Sequence, residues 1–125
     1  MELLAALSME TLSPFLTRDV AGSADVNEVA VDSIRDRLYI ALQNDAANPE
    51  FLSVDISNVS RGSMTQSGAI DLGDGSRGFA VGKNYVYVLT DGDAQEVRVV
   101  RLRDFTIVAP WDLPGNANAD PIDIV

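Results

Sequence analysis

Phe79-Ala80-Val81-Gly82-Lys83-Asn84-Tyr85-Val86-Tyr87-Val88-Leu89 consists of two apolar and aromatic runs separated by a Gly-Lys-Asn turn. Val and Tyr suit a pleated surface, and Gly and Asn tolerate turn backbone, so the stretch predicts an antiparallel hairpin. The same order stands earlier in the chain. Val29-Ala30-Val31 matches Phe79-Ala80-Val81, and Leu38-Tyr39-Ile40-Ala41-Leu42 matches Tyr85 to Leu89.

The matching continues outward. Phe51 to Ile56 is a third strand, with Leu52, Val54 and Ile56 on one face. Glu96-Val97-Arg98-Val99-Val100 matches Phe51 to Asp55. A weaker fourth strand lies in Met64 to Leu72 and is matched by Phe105 to Val108, with Trp111-Asp112-Leu113 set against Ile70-Asp71-Leu72. Asp120-Pro121-Ile122-Asp123-Ile124-Val125 then begins the pattern a third time. Val29 and Phe79 are 50 residues apart, and Phe79 and Ile122 are 43 apart.

Four short strands per 40–50 residues is the spacing of propeller blades. The expected fold is therefore all-β, with two four-stranded propeller-type blades at 28–72 and 73–119. Residues 120–125 are the first strand of a third blade, or a strand swapped into a neighbour. An antiparallel sandwich or barrel is the alternative. Ahead of the blades, 20–27 is a polar linker and 1–19 a short helix or arm. Leu3, Leu4, Leu7 and Leu12 suit one face of such a helix, with Pro14 ending it. The stretch is too short and too polar to span a membrane, and Glu2 stands where a secretory signal carries positive charge.

Composition narrows the chemistry. The 125 residues include neither Cys nor His, which excludes disulfides, thiolate or imidazole ligands and His-based acid–base catalysis. Nineteen acidic residues against nine basic ones give a net charge of −10, which disfavours nucleic acid and anionic membrane as partners. Asp71, Asp74, Asp91 and Asp93 lie in Gly-bearing loops between strands, a candidate oxygen-rich Ca²⁺ site. Their spacing is not that of an EF-hand, and plain turns are the simpler reading. No carboxylate pair, Ser-x-x-Lys, Gly-x-Ser-x-Gly or phosphate-loop context singles out a catalytic group.

Phe79 to Val88 and Leu52-Ser53-Val54-Asp55-Ile56-Ser57-Asn58 together resemble the propeller repeats named for the motif LVIVD. The resemblance covers about residues 28 to 125. It departs at Asp32 to Arg37, where a short Gly-Asn turn is usual, and at Val99 to Leu102, where the Asp-Ile-Ser ending is missing. It implies a propeller architecture, no catalytic residues and an extracellular or cell-surface setting.

Propellers have four or more blades. Two blades would expose apolar faces and sheet edges, so the expectation is part of a larger or oligomeric propeller. The interface candidates are Ile122, Ile124, Val125, Leu3, Leu7 and Trp111, with Trp111 read as a plug between blades. Tyr85 and Tyr87 share a strand side and are read as packing between blades. The expected role is a non-catalytic binding, adhesion or scaffolding module with protein partners or self-association and no required cofactor. A fragment of a propeller hydrolase and the subunit of a surface filament are the alternatives.

Overall fold

The computed structural model describes residues 3–7, 14–19, 25–43, 49–91 and 95–111, the first two segments as backbone only. The described chain is all-β. β1 (Leu3–Leu7) and β2 (Pro14–Asp19) pair as an antiparallel hairpin. This overturns the expected N-terminal helix. A five-residue segment cannot recover the cost of nucleating a helix, whereas a strand shares its hydrogen bonds with a partner. Pro14 therefore opens a strand opposite Leu7 and does not close a helix.

Two four-stranded antiparallel sheets follow, each a meander. The first is β3 (Val26–Asp32), β4 (Arg37–Leu42), β5 (Phe51–Asp55) and β6 (Thr65–Ile70), in the order β3-β4-β5-β6. The second is β7 (Ser76–Val81), β8 (Tyr85–Thr90), β9 (Val97–Arg101) and β10 (Thr106–Trp111), again in chain order. A single 3-10 turn, Val59–Arg61, is the only helical element among the described residues. No helix among them is long and apolar enough to cross a membrane. β3 begins inside the segment expected to be linker, and β10 runs on through Trp111.

The two sheets agree in detail. Register shifts fall between Val26 and Glu28 in β3 and between Ser76 and Gly78 in β7. They recur between Ser53 and Val54 in the β5–β6 pair and between Ile107 and Ala109 in the β9–β10 pair. Leu42 N–H donates to Glu50 O at 2.8 Å, as Thr90 N–H does to Glu96 O at 2.8 Å. Gln43 N–H donates to Asp25 O and Asp91 N–H to Gly75 O, both at 2.9 Å. These pairings place Tyr39 in correspondence with Tyr87, Glu50 with Glu96, Phe51 with Val97 and Ile70 with Trp111. The sequence match of Leu38 with Tyr85, and of Phe51 with Glu96, is thus one residue out of register. The β3–β4 turn, Ser33 to Asp36, is two residues longer than the Lys83-Asn84 turn, not three.

β7 lies against β3 and β4, so the sheets pack face to face. Tyr39, Ala41, Phe51 and Ile70 of the first sheet meet Phe79, Val86, Val88 and Val100 of the second in one core. Four rings fill its centre. Phe51 and Phe79 meet edge to face at 5.2 Å, and Phe105 stacks on Phe51 at 5.5 Å and on Tyr39 at 6.3 Å. Such pairs add about 0.5–1.5 kcal/mol beyond the area they bury. Gly68 makes room for the Phe105 ring, because a Cβ there would lie 2.5 Å from Phe105 Cδ1. Ser76, fully buried, donates to the carbonyls of Leu42 and Glu50 at 3.0 and 2.9 Å, joining the sheets where no water reaches.

The opposite face of the first sheet carries a second buried cluster, Ile40, Leu42, Leu52, Val54 and Met64. Both faces of β4 and β5 are therefore buried, which explains their unbroken apolar runs.

Candidate functional site

The second sheet differs in its outward face. In β8 the side chains of Val86 and Val88 enter the core, so strand geometry turns Tyr85 and Tyr87 the other way. Cross-strand pairing sets Tyr87 opposite Val99, and Val99 opposite Ala109. The next row is Leu89, Val97 and Trp111, and the row toward the turns is Tyr85 and Arg101. Tyr85, Tyr87 and Trp111 are 37%, 40% and 61% exposed. Leu89 and Val97 are buried. The outcome is an aromatic surface on the outward face of the second sheet. Its rings combine large apolar area with a polar tip, the chemistry favoured at protein interfaces.

The corresponding face of the first sheet shows what such a surface does when covered. There Tyr39 and Ile70 are 2% and 8% exposed, because Phe79 and Phe105 lie on them. The two described four-stranded sheets do not enclose Trp111, Tyr85 or Tyr87 between them, so packing of these rings between blades would need a further blade or a second copy. Trp111 ends β10 on the open side of the sheet.

The other candidates scatter. Asp71 Oδ1 accepts from Gly73 N–H at 2.9 Å, closing its own turn. Asp74 reaches Arg98 at 3.9 Å, and Asp91 pairs with Arg77 across β7 and β8. Asp93 lies outside the described residues. Among the described residues no three acidic side chains gather as a metal would require. Ile122, Ile124 and Val125 lie outside the described residues, and Leu3 and Leu7 are placed only as backbone of β1.

Sequence reasoning missed a basic cluster at the turn end of the sheets. Arg35, Arg37, Lys83, Arg101 and Arg103, five of the nine basic residues, line two adjoining clefts there. Three of them are paired. Arg35 meets Asp32 at 2.5 Å, Arg37 meets Asp55 at 2.9 Å and Arg101 meets Asp104 at 2.6 Å. The Arg101 guanidinium, helped by the Thr106 hydroxyl, holds the Asp104 carboxyl down to about 2. Asp55 is lowered by hydrogen bonds from Ser57 and by Arg37. Asp32 is buried, which by itself raises its pKa, yet its bonds to Arg35 and Ile34 leave it below the usual value. The one signal in the sequence is that every one of these cations flanks a hairpin turn.

Comparison with protein-family models, with characterised proteins and with solved structures returns no match to this chain.

Proposed function

We propose that the chain is a non-catalytic scaffolding and binding module built from two propeller-type blades, which works by docking a further sheet on its aromatic face. The observation that carries this is the unequal fate of one surface. The face holding Tyr39 and Ile70 is covered by the next sheet, while the matching face of the second sheet leaves Tyr87 and Trp111 exposed. Shared strand order, bulges and cross-strand bonds support reading the sheets as successive units of one kind. The LVIVD-like motifs support a propeller and an extracellular or cell-surface setting. A second copy of the chain, or a further blade, would cover Tyr87 as Phe79 of β7 covers Tyr39. Burying one large side chain contributes about 1.5–3 kcal/mol, so Tyr87 and Trp111 would anchor such an interface, and the rest of the docked face would have to offset the cost of association.

The test is mass in solution across a range of protein concentrations, for wild type and for a Tyr87→Ser, Trp111→Ser double variant. Wild type is expected to associate, and the double variant to shift toward the single chain with its melting temperature little changed. Association that survives the double substitution would sink the proposal.

A further inference from the structure

We propose that the turn end of the two sheets binds a small amphiphilic anion: a carboxylate carried on an apolar body. Three adjoining clefts meet at Arg35. One, of about 540 Å³, is lined by Arg35, Lys83, Asn84, Tyr85, Arg101 and Arg103 among others. A second, on the far side of the β3–β4 turn, is lined by Val31, Ile34 and Val81 beside Arg35 and Lys83. The third carries Ser53, Ser67 and Arg103.

Arg35 builds this end. Its guanidinium is held by Asp32 at 2.5 Å and also donates to the backbone carbonyl of Lys83, so one side chain ties the β3–β4 turn to the β7–β8 turn. Asp32, Asp55 and Asp104 neutralise Arg35, Arg37 and Arg101. That leaves Lys83 and Arg103, which make no ion pair among the described residues. Both line the first cleft, with the Asn84 and Tyr85 side chains beside them as further hydrogen-bond donors. A carboxylate placed there receives charge-assisted hydrogen bonds.

The apolar part of the ligand follows from the neighbouring cleft. Ile34 is 89% exposed at the tip of its turn, and Val31 and Val81 are also exposed. Lys83 and Arg35 border these three side chains, so a ligand with its acid group on Lys83 can lay its body over them. The net charge of −10 favours a small ligand. A polyanion must bring many charges against a repelling surface, whereas a monoanion samples the local cations within a Debye length of about 8 Å.

The probes are octanoate, acetate and inorganic phosphate, titrated calorimetrically at constant ionic strength into the whole chain. Octanoate should bind about tenfold tighter than acetate, the gain of a few buried methylenes. Lys83→Ala and Arg103→Ala should each weaken octanoate at least about fivefold, as the loss of one charged hydrogen bond implies. Ile34→Ser should remove the advantage of octanoate while leaving acetate as in wild type. Arg61→Ala, on the 3-10 turn, should change nothing. Tyr87→Ser should also leave octanoate binding intact, which separates this site from the aromatic face. The inference fails if octanoate does not bind, if Lys83→Ala and Arg103→Ala bind it as wild type does, or if phosphate binds as tightly as octanoate. All these substitutions are at exposed positions, and circular dichroism verifies the fold of each.

Discussion

The two sheets are built on one backbone plan and meet different fates. In the first, β4 and β5 are buried on both faces; in the second, one face joins the core and the other holds Tyr85, Tyr87 and Trp111 in solvent. Strand order, bulge positions and cross-strand bonds are the same in both. The backbone plan therefore follows from strand runs and turns, while burial follows from what lies against each face. Matched substitutions in the two sheets separate these contributions.

The largest contrast lies in the aromatic core. Phe79→Ala removes a ring that touches Phe51 and Tyr39 at the junction of the sheets, and should cost about 3–5 kcal/mol. Tyr39→Ala should fall in the same range. Tyr87→Ala, at the corresponding position, should stay within about 1 kcal/mol, because its side chain is 40% exposed and lies outside the core. Chemical denaturation of the three variants checks this. Equal losses for Tyr39→Ala and Tyr87→Ala would show the outward face to be covered.

Next comes Gly68, which corresponds to Ala109 in the second sheet. Gly68→Ala forces a Cβ into the Phe105 ring and should cost about 1–3 kcal/mol by overpacking. The Phe105 ring is stacked on Phe51 and Tyr39, so moving it aside costs those contacts. Ala109 is exposed, and Ala109→Gly should cost about 1 kcal/mol or less. Pairing Gly68→Ala with Phe105→Leu should recover part of the loss, which a denaturation midpoint would register.

How much of this was legible follows from the same contrast. Strand after strand could be read because Gly, Asn and Asp mark each turn and β-branched runs fill the spaces between. The N-terminal hairpin was not legible, because Leu3, Leu4 and Leu7 satisfy one helical turn as well as they satisfy a strand. The correspondence between sheets slipped by one residue at β4, since nothing in Asp32 to Arg37 says how many residues the turn absorbs. A slip of one reverses every side chain, so it hid that Tyr87 is the counterpart of Tyr39. The basic end escaped because Arg35, Lys83 and Arg103 meet only when three turns of two sheets are assembled. Trp111 was placed correctly opposite Ile70, but whether its face is covered depends on a neighbour that no local pattern encodes.

Glu50 and Glu96 carry the comparison to buried charge. Glu50 is 2% exposed and its carboxylate accepts from Leu72 N–H at 2.6 Å. Burial pushes its pKa above 4.5, and the Leu72 bond only partly offsets this. Between pH 4.5 and the raised value the folded chain binds more protons than the unfolded one, so stability falls as pH rises through that window. Glu50→Gln keeps an acceptor for Leu72 and should remove this dependence without loss at pH 7. Glu50→Ala leaves the amide unsatisfied and should cost about 1–3 kcal/mol. Melting temperatures from pH 4 to pH 7 distinguish the two.

The smallest effect is at the turns. In the first sheet Arg37 on β4 pairs across to Asp55 on β5, whereas in the second the same two positions hold Tyr85 and Arg101. Without a cross-strand acid, Arg101 turns to Asp104 within its own hairpin and lowers that carboxyl to about 2. A depressed acid stabilises the fold above its unfolded value of 3.8, and the contribution is lost as pH falls through about 2. Both side chains are in contact with solvent, so the effect is small and weakens in salt. Asp104→Asn should flatten the fall in stability between pH 4 and pH 2 at low ionic strength and leave it unaltered at 1 M salt. A variant that matches wild type at low salt would mean the pair shapes the β9–β10 turn without stabilising it.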